Sequence, residues 1–341
     1  MSHKPQLDGL RFLAFLAVYF NHATPAYCRW GWAGVQFFFA LSGFLITRIL
    51  VRGESGHVGP DLGRYYIRRT LRIFPLYYAI LIVSAALGPV QDLGWYLTYT
   101  YNVRAYLNLH LDEHLGHFWT LCVEEQFYLL YPLALLFTPA RSRLGMIVTL
   151  IAAVKGFQIF AHYRMVWPND RLLLPYCVED LLWGCLAGII ELRVAPGRRG
   201  GTASFLAGLP LLVLAWKLFE RRQASPDLVA ELASATLFGL GSSLIVYGAW
   251  RSTDRWIVGP LSWAPVAYLG RISYGLYAYH LPILRGGFLS WIPNFYLVPW
   301  HLGDLALTVG VAAASWHYFE GPINRLKDRF HVREHGGPGP G

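Results

Sequence analysis

Residues 7–25 read LDGLRFLAFLAVYFNHATP. About 20 mostly apolar residues are enough for a helix to cross ~30 Å of hydrocarbon, and this stretch has the required length. Yet Asp8 and Arg11 stand at one end of it and His22 at the other. A charged side chain at the centre of a bilayer costs at least ~2.5–3.5 kcal/mol. A span that keeps such residues therefore turns them toward protein or water. The eleven-residue separation of Arg11 and His22 rotates the helix about 20° past three full turns. Both side chains fall on one face, roughly 16 Å apart along the axis.

The rest of the chain repeats the pattern. Its 341 residues are 55% hydrophobic and 14% charged, with a mean hydropathy of +0.36. A soluble domain carries about 25% charged residues. The 13 Trp, 21 Tyr and 20 Phe suit an abundance of interfacial aromatics. Apolar runs near 7–27, 33–51, 72–90, 117–138, 145–163, 172–191, 203–219, 229–250, 262–284 and 298–319 predict ten spans. The stretch 93–107 is too short and too polar to cross, and reads as an interfacial or re-entrant helix. The expected fold is all-α, a polytopic membrane bundle over 1–330, followed by a Gly/Pro-rich disordered tail at 331–341. The first run lacks a basic leader and a small-residue cleavage site, so it reads as retained. Cys28, Cys122, Cys177 and Cys185 lie in or beside apolar runs without metal-ligand spacing, and read as packing residues.

The net charge of +9 is a topology signal. Most Lys and Arg residues, including Arg48, Arg52, Arg64, Arg68, Arg69, Arg72 and Lys327, fall on one set of alternating loops. The positive-inside rule puts that set, and both termini, in the cytoplasm. Basic residues scattered over membrane-edge loops do not form a nucleic-acid surface, so the expected surroundings are lipid.

Four constellations could carry chemistry. Arg11 and His22 share a face; taken singly, Arg11 reads as a snorkelling arginine and His22 as a core histidine. In RRTLRIFP at 68–75, Arg68 and Arg72 share a helical face beside Arg69. The cluster reads as a positive-inside signal or as a clamp whose guanidinium forks match phosphate oxygens. In GHFWTLCVEEQFYLLYP at 116–132, Glu124 and Glu125 enter an apolar span, and Glu124 shares its face with Tyr128. An intramembrane glutamate is a candidate for function, and Glu124 falls near the depth of His22. In GRISYGLYAYHLPI at 270–283, Ser273, Tyr277 and His280 form a polar stripe, either a structural ladder or a cavity wall. Trp119 could stack on a sugar, although such aromatics are commoner as interface anchors. His110, His114 and His117 lack a nearby cysteine or clear acidic partner, and no metal site is expected from them.

Six blocks in order, LDGLRFLAFLAVYFNH, VQFFFALSGFLIT, YYIRRTLRIFPLYY, HFWTLCVEEQFYLLYP, RISYGLYAYHLPI and YFEGPINR, resemble the acyltransferase 3 family of integral-membrane O-acyltransferases. Members modify cell-envelope polysaccharides, peptidoglycan, Nod factors or macrolides. The resemblance implies acyl-CoA, usually acetyl-CoA, as donor substrate. It implies a hydroxyl of a carbohydrate or glycosylated molecule as acceptor. The family's pattern of an arginine, ten intervening residues and a histidine falls on Arg11 and His22, its basic motif on Arg68, Arg69 and Arg72, and its glutamate on Glu124. The appended hydrolase-like domain of some members is not seen, so transfer would finish inside the membrane domain.

The expectation that follows is a channel. Phosphates of the donor would sit at Arg11, Arg68, Arg69 and Arg72. The pantetheine arm would span the ~16 Å to His22, the base or transient acyl carrier, with Glu124 orienting its imidazole. A transporter or flippase for a glycan is the rival class; the absence of an inverted repeat counts against it. A homo-oligomer is compatible with the sequence.

Overall fold

The computed structural model describes residues 3–108, 110–164, 169–194, 200–224, 227–288 and 301–327. These residues form α1 (Pro5–Ala23), α2 (Ala33–Arg52), α3 (Val58–Leu87), α4 (Leu93–Leu97), α5 (Tyr101–Asn108), α6 (Trp119–Phe137), α7 (Arg143–Arg164), α8 (Leu174–Arg193), α9 (Gly201–Ala224), α10 (Leu228–Arg251), α11 (Arg255–Leu261), α12 (Ala264–Arg271), α13 (Ser273–Arg285), α14 (Leu302–Ser315) and α15 (Gly321–Arg325). A π-helical turn, Trp316–Glu320, joins the last two. The expected tail at 331–341 lies outside the described residues.

The all-α architecture is as expected, but the span count is not reached. Among the described residues, five helices are by themselves long and apolar enough to cross a membrane: Arg29–Arg52, Val58–Leu87, Arg143–Arg164, Gly201–Ala224 and Leu228–Arg251. α1, α6 and α8 have 19, 19 and 20 residues. They dilute their apolar character with Arg11 and His22, with Glu124 and Glu125, and with Glu179, Asp180 and Glu191. The expected span 262–284 is broken at Ile272, whose backbone (φ −92°, ψ 11°) leaves the helical region. α3 starts well before residue 72, so its arginines lie inside a 30-residue helix rather than in a loop. The 93–107 stretch forms α4 and α5, separated at Tyr99, where the backbone turns left-handed (φ 54°). Tyr77 of α3 fastens this helix pair by donating to the Tyr96 carbonyl at 2.8 Å.

Helix faces sort as lipid demands. Leu206, Leu209, Val213 and Leu214 of α9 are exposed, as are Val148, Ile159 and Phe160 of α7. A lipid tail solvates such side chains as well as another helix would. Polar residues turn inward and pair. Lys155 reaches Glu179 at 2.8 Å, Arg222 reaches Glu231 at 2.8 Å, and Arg48 pairs with Glu191. All four cysteines are free; Cys122 and Cys185 are buried in apolar clusters.

α2 and α8 cross at backbone contact. A Cβ on Gly43 would stand 1.9 Å from the Leu181 carbonyl oxygen, and one on Gly184 would stand 1.9 Å from that of Ala40. Small residues let membrane helices approach to backbone contact. Gly184→Val is therefore expected to lower the yield of folded, detergent-extractable protein, because overpacking costs roughly 1–3 kcal/mol. Thermal unfolding followed by size-exclusion chromatography checks it.

Candidate functional site

The polar faces of α1, α2, α3, α6 and α13 meet around two cavities. The first, about 130 Å³, is lined by Arg11, Ser42, Arg69, Arg72, Glu124, Glu125, Tyr128, Ser273 and Tyr277 among others. Thr120, Glu124 and Tyr128 repeat every four residues along α6, so one face of that helix meets the cavity. Arg69, Arg72 and Ile73, at i, i+3 and i+4, present one face of α3 in the same way. The charges in this cavity are largely committed. Arg11 donates to Asp8 at 2.6 Å. The Arg69 guanidinium lies 3.4 Å over the Tyr128 ring, with its Nε 3.7 Å from Glu125. A cation over an aromatic face is worth about 0.5–2 kcal/mol. Ser42 Oγ donates to Glu124 Oε1 at 2.9 Å. Arg72 is different: no ion pair or hydrogen bond ties its guanidinium to the described residues.

The second cavity is larger, about 400 Å³. It is lined by Asn21, His22, Trp32, Asp112, Glu113, His117, Trp119 and Arg285 among others. His22 Nδ1 is 2.9 Å from His280 Nε2, and the two rings stack with centroids 5.1 Å apart. The helix rise carries α1 from one cavity to the other, so Arg11 stands in the first and His22 in the second.

Val35, Thr120 and Tyr277 line both cavities. They are a wall one side chain thick. Thr120 Oγ1 and the Tyr277 hydroxyl hydrogen-bond across it at 2.7 Å, and Thr120 Oγ1 also donates to the His117 carbonyl at 2.9 Å. The expected continuous channel is thus two chambers back to back.

Most sequence candidates gather here, with three corrections. Arg68 lines neither cavity; Arg69 and Arg72, one turn apart, provide the face that Arg68 and Arg72 were expected to share. Glu124 does not touch His22: it belongs to the arginine chamber and bonds Ser42, and the partner of His22 is His280. Equal depth did not bring the two together because Thr120 and Tyr277 intervene. His280 is fully buried behind His22 and lines neither cavity, so it does not meet a ligand directly. Tyr128, Ser273 and Tyr277 line the first chamber and Trp119 the second. Ser42, Thr120 and Tyr274 were missed. Thr120 was legible, four residues before Glu124 on one helix face. The other two are single polar residues whose facing only the packing reveals. Of the three histidines considered for metal, His117 is buried and lines the second chamber, while His110 and His114 are exposed.

A family model described as an acyltransferase domain matches residues 4–319, nearly the whole chain and every residue of both chambers. The chain belongs to the acyltransferase 3 family. Among its relatives, the O-acetyltransferase OatA of Staphylococcus aureus is 24% identical over 378 residues, covering 94% of this chain and 57% of that protein. The peptidoglycan O-acetyltransferase OatA of Listeria monocytogenes is 26% identical over 357 residues, covering 95% of this chain and 56% of that protein. The chain spans a little over half the length of the curated relatives it matches. No solved structure gives a significant match.

Proposed function

We propose that the protein moves an acyl group, usually acetyl, from cytoplasmic acyl-CoA to a hydroxyl of a cell-envelope carbohydrate or related glycosylated acceptor. The observation that carries this reading is the pair of chambers sharing Val35, Thr120 and Tyr277, with guanidiniums in one and an imidazole in the other. A donor with several phosphates suits the first. A ring bearing hydroxyls suits the second, where Trp119 stands among the polar groups of Asp112, Glu113 and Arg285. On this reading the chain is a multi-pass protein of the inner membrane with both termini in the cytoplasm, and the arginine chamber faces the donor side.

In the reaction, His22 takes the proton of the acceptor hydroxyl as its oxygen attacks the thioester carbonyl carbon. The carbon–sulfur bond breaks, and the departing thiolate takes the proton back from the imidazole. The hydroxyls of Thr120 and Tyr277 stand at the wall between the chambers, with their hydrogens committed to the His117 carbonyl and to the bond between them. Glu124 acts on the donor side, held by Ser42 and close to Arg69.

Among the chamber's arginines, Arg72 is the one with no ion pair or hydrogen bond to the described residues, and so the strongest candidate for a phosphate contact. A hydrogen bond to a charged group is worth about 1.5–3 kcal/mol. Arg72→Ala is expected to raise the KM for acetyl-CoA by roughly 10- to 100-fold, with a smaller change in kcat. Steady-state kinetics on purified protein decides it, and an unchanged KM removes Arg72 from the donor site. The function itself is tested by incubating the protein with acetyl-CoA labelled in the acetyl group and isolated cell-wall glycan. Label on the glycan supports transfer. Glycan that crosses vesicles unlabelled supports the transporter reading.

A further inference from the structure

The hydrogen bonds behind His22 determine which of its nitrogens can accept a proton. His280 Nδ1 lies 2.6 Å from the Tyr277 carbonyl oxygen. A carbonyl only accepts, so that Nδ1 carries hydrogen. In a neutral imidazole the other nitrogen is then an acceptor, which makes His280 Nε2 a lone pair. His22 Nδ1, 2.9 Å away, must donate to it. The Nε2 of His22 is left unprotonated, on a ring that lines the larger chamber. We infer that His280 is a positioning residue: it selects the His22 tautomer whose Nε2 lone pair meets the acceptor hydroxyl, and it steadies the imidazolium that forms when that hydroxyl gives up its proton.

The surroundings suit such a relay. His280 is fully buried, with Phe15 edge-on at 6.0 Å and Tyr19 at 6.4 Å. Both of its nitrogens are committed, so the ring has no free rotation. A carboxylate in this place would bury a charge at a cost of several kcal/mol; a second imidazole orients the first without one. The relay also ties the wall to the base. The same Tyr277 that receives the proton-bearing nitrogen of His280 closes the boundary with Thr120 through its side chain. His117 stands edge-on to His280 at 4.8 Å and donates from Nε2 to the Ala278 carbonyl at 3.3 Å, outside the relay.

This inference rests on the reading of His22 as the base, and the test separates the two. Glutamine places an acceptor oxygen near the reach of Nε2; leucine fills similar space with no acceptor. His280→Leu is expected to lower kcat by about 100-fold or more with the KM for acetyl-CoA unchanged, and His280→Gln to recover to within about tenfold of wild type. Rates are normalised to folded protein by size-exclusion chromatography. Wild-type turnover in folded His280→Leu overturns the inference, as does a His280→Gln protein as impaired as the leucine variant. If neither variant folds, the ¹⁵N spectrum of histidine-labelled wild-type protein decides, with the His22 signals assigned by their loss in His22→Ala. A proton on Nδ1 and none on Nε2 is expected, and the opposite tautomer overturns the relay. A wild type that transfers no acyl group refutes the proposed function alone, because the tautomer is still read from the spectrum.

Discussion

His22→Ala is expected to lower acyl transfer by at least about 100-fold, the smaller end of what a general base contributes, while the protein still inserts and folds. The imidazole is lost, but α1 keeps the contacts that hold it: Phe15, Val18 and Tyr19 stay buried against neighbouring helices, and Tyr19 still donates to the His301 carbonyl at 2.8 Å. The donor chamber is untouched, because none of its lining residues belongs to the second half of α1. The variant should therefore bind acetyl-CoA with wild-type affinity and fail to transfer. Binding by calorimetry and transfer of labelled acetyl to glycan, measured on one preparation, make the separation visible. The emptied site adds to a chamber of about 400 Å³, so added imidazole can enter and should restore part of the rate. Full activity without it would remove His22 from the chemistry.

The placement of His22 shows what is legible in the sequence. A helix with Arg11 and His22 on one face requires that face to be wet or packed against protein, and both chambers open along it. The gathering of Arg69, Glu124, Tyr128 and Ser273 was also readable, because each is a polar residue that lipid would reject. Pairing was not readable. Glu124 was expected beside His22 from depth alone, but depth fixes one coordinate and leaves rotation about the helix axis open. The rotation of α6 is set by side chains such as Val123 and Phe127, which are buried against α2 and α8; no periodicity reports that angle. The span count failed for a related reason. Helices that line the site, α1 and α6 above all, trade apolar residues for chemistry. The break at Ile272 has no proline or glycine in its own position to announce it.

Val35→Phe is expected to stop transfer by filling the wall. Val35 is half-buried and lines both chambers, so a phenyl ring placed there enters open space before it meets the core. On the proposed function, the thioester reaches His22 when the wall opens between Val35 and the Thr120–Tyr277 bond, and reacting atoms need to approach to about 3–3.5 Å. Misplacement by 1 Å can cost about 100-fold, and a ring in the passage displaces the acyl carbon by more than that. The expected result is a kcat lowered by at least about 100-fold with acetyl-CoA binding retained, since the guanidiniums of Arg11, Arg69 and Arg72 stay as they were. Thr120→Ala works in the opposite direction. It removes the hydroxyl that bridges to Tyr277 and joins the chambers, so water gains access to the thioester and acetyl-CoA hydrolysis without acceptor should rise. Free thiol release, followed with and without glycan, reads both variants in one assay. Unimpaired transfer in Val35→Phe would mean that the acyl group takes another route, and the two chambers would then be neighbours without a shared reaction.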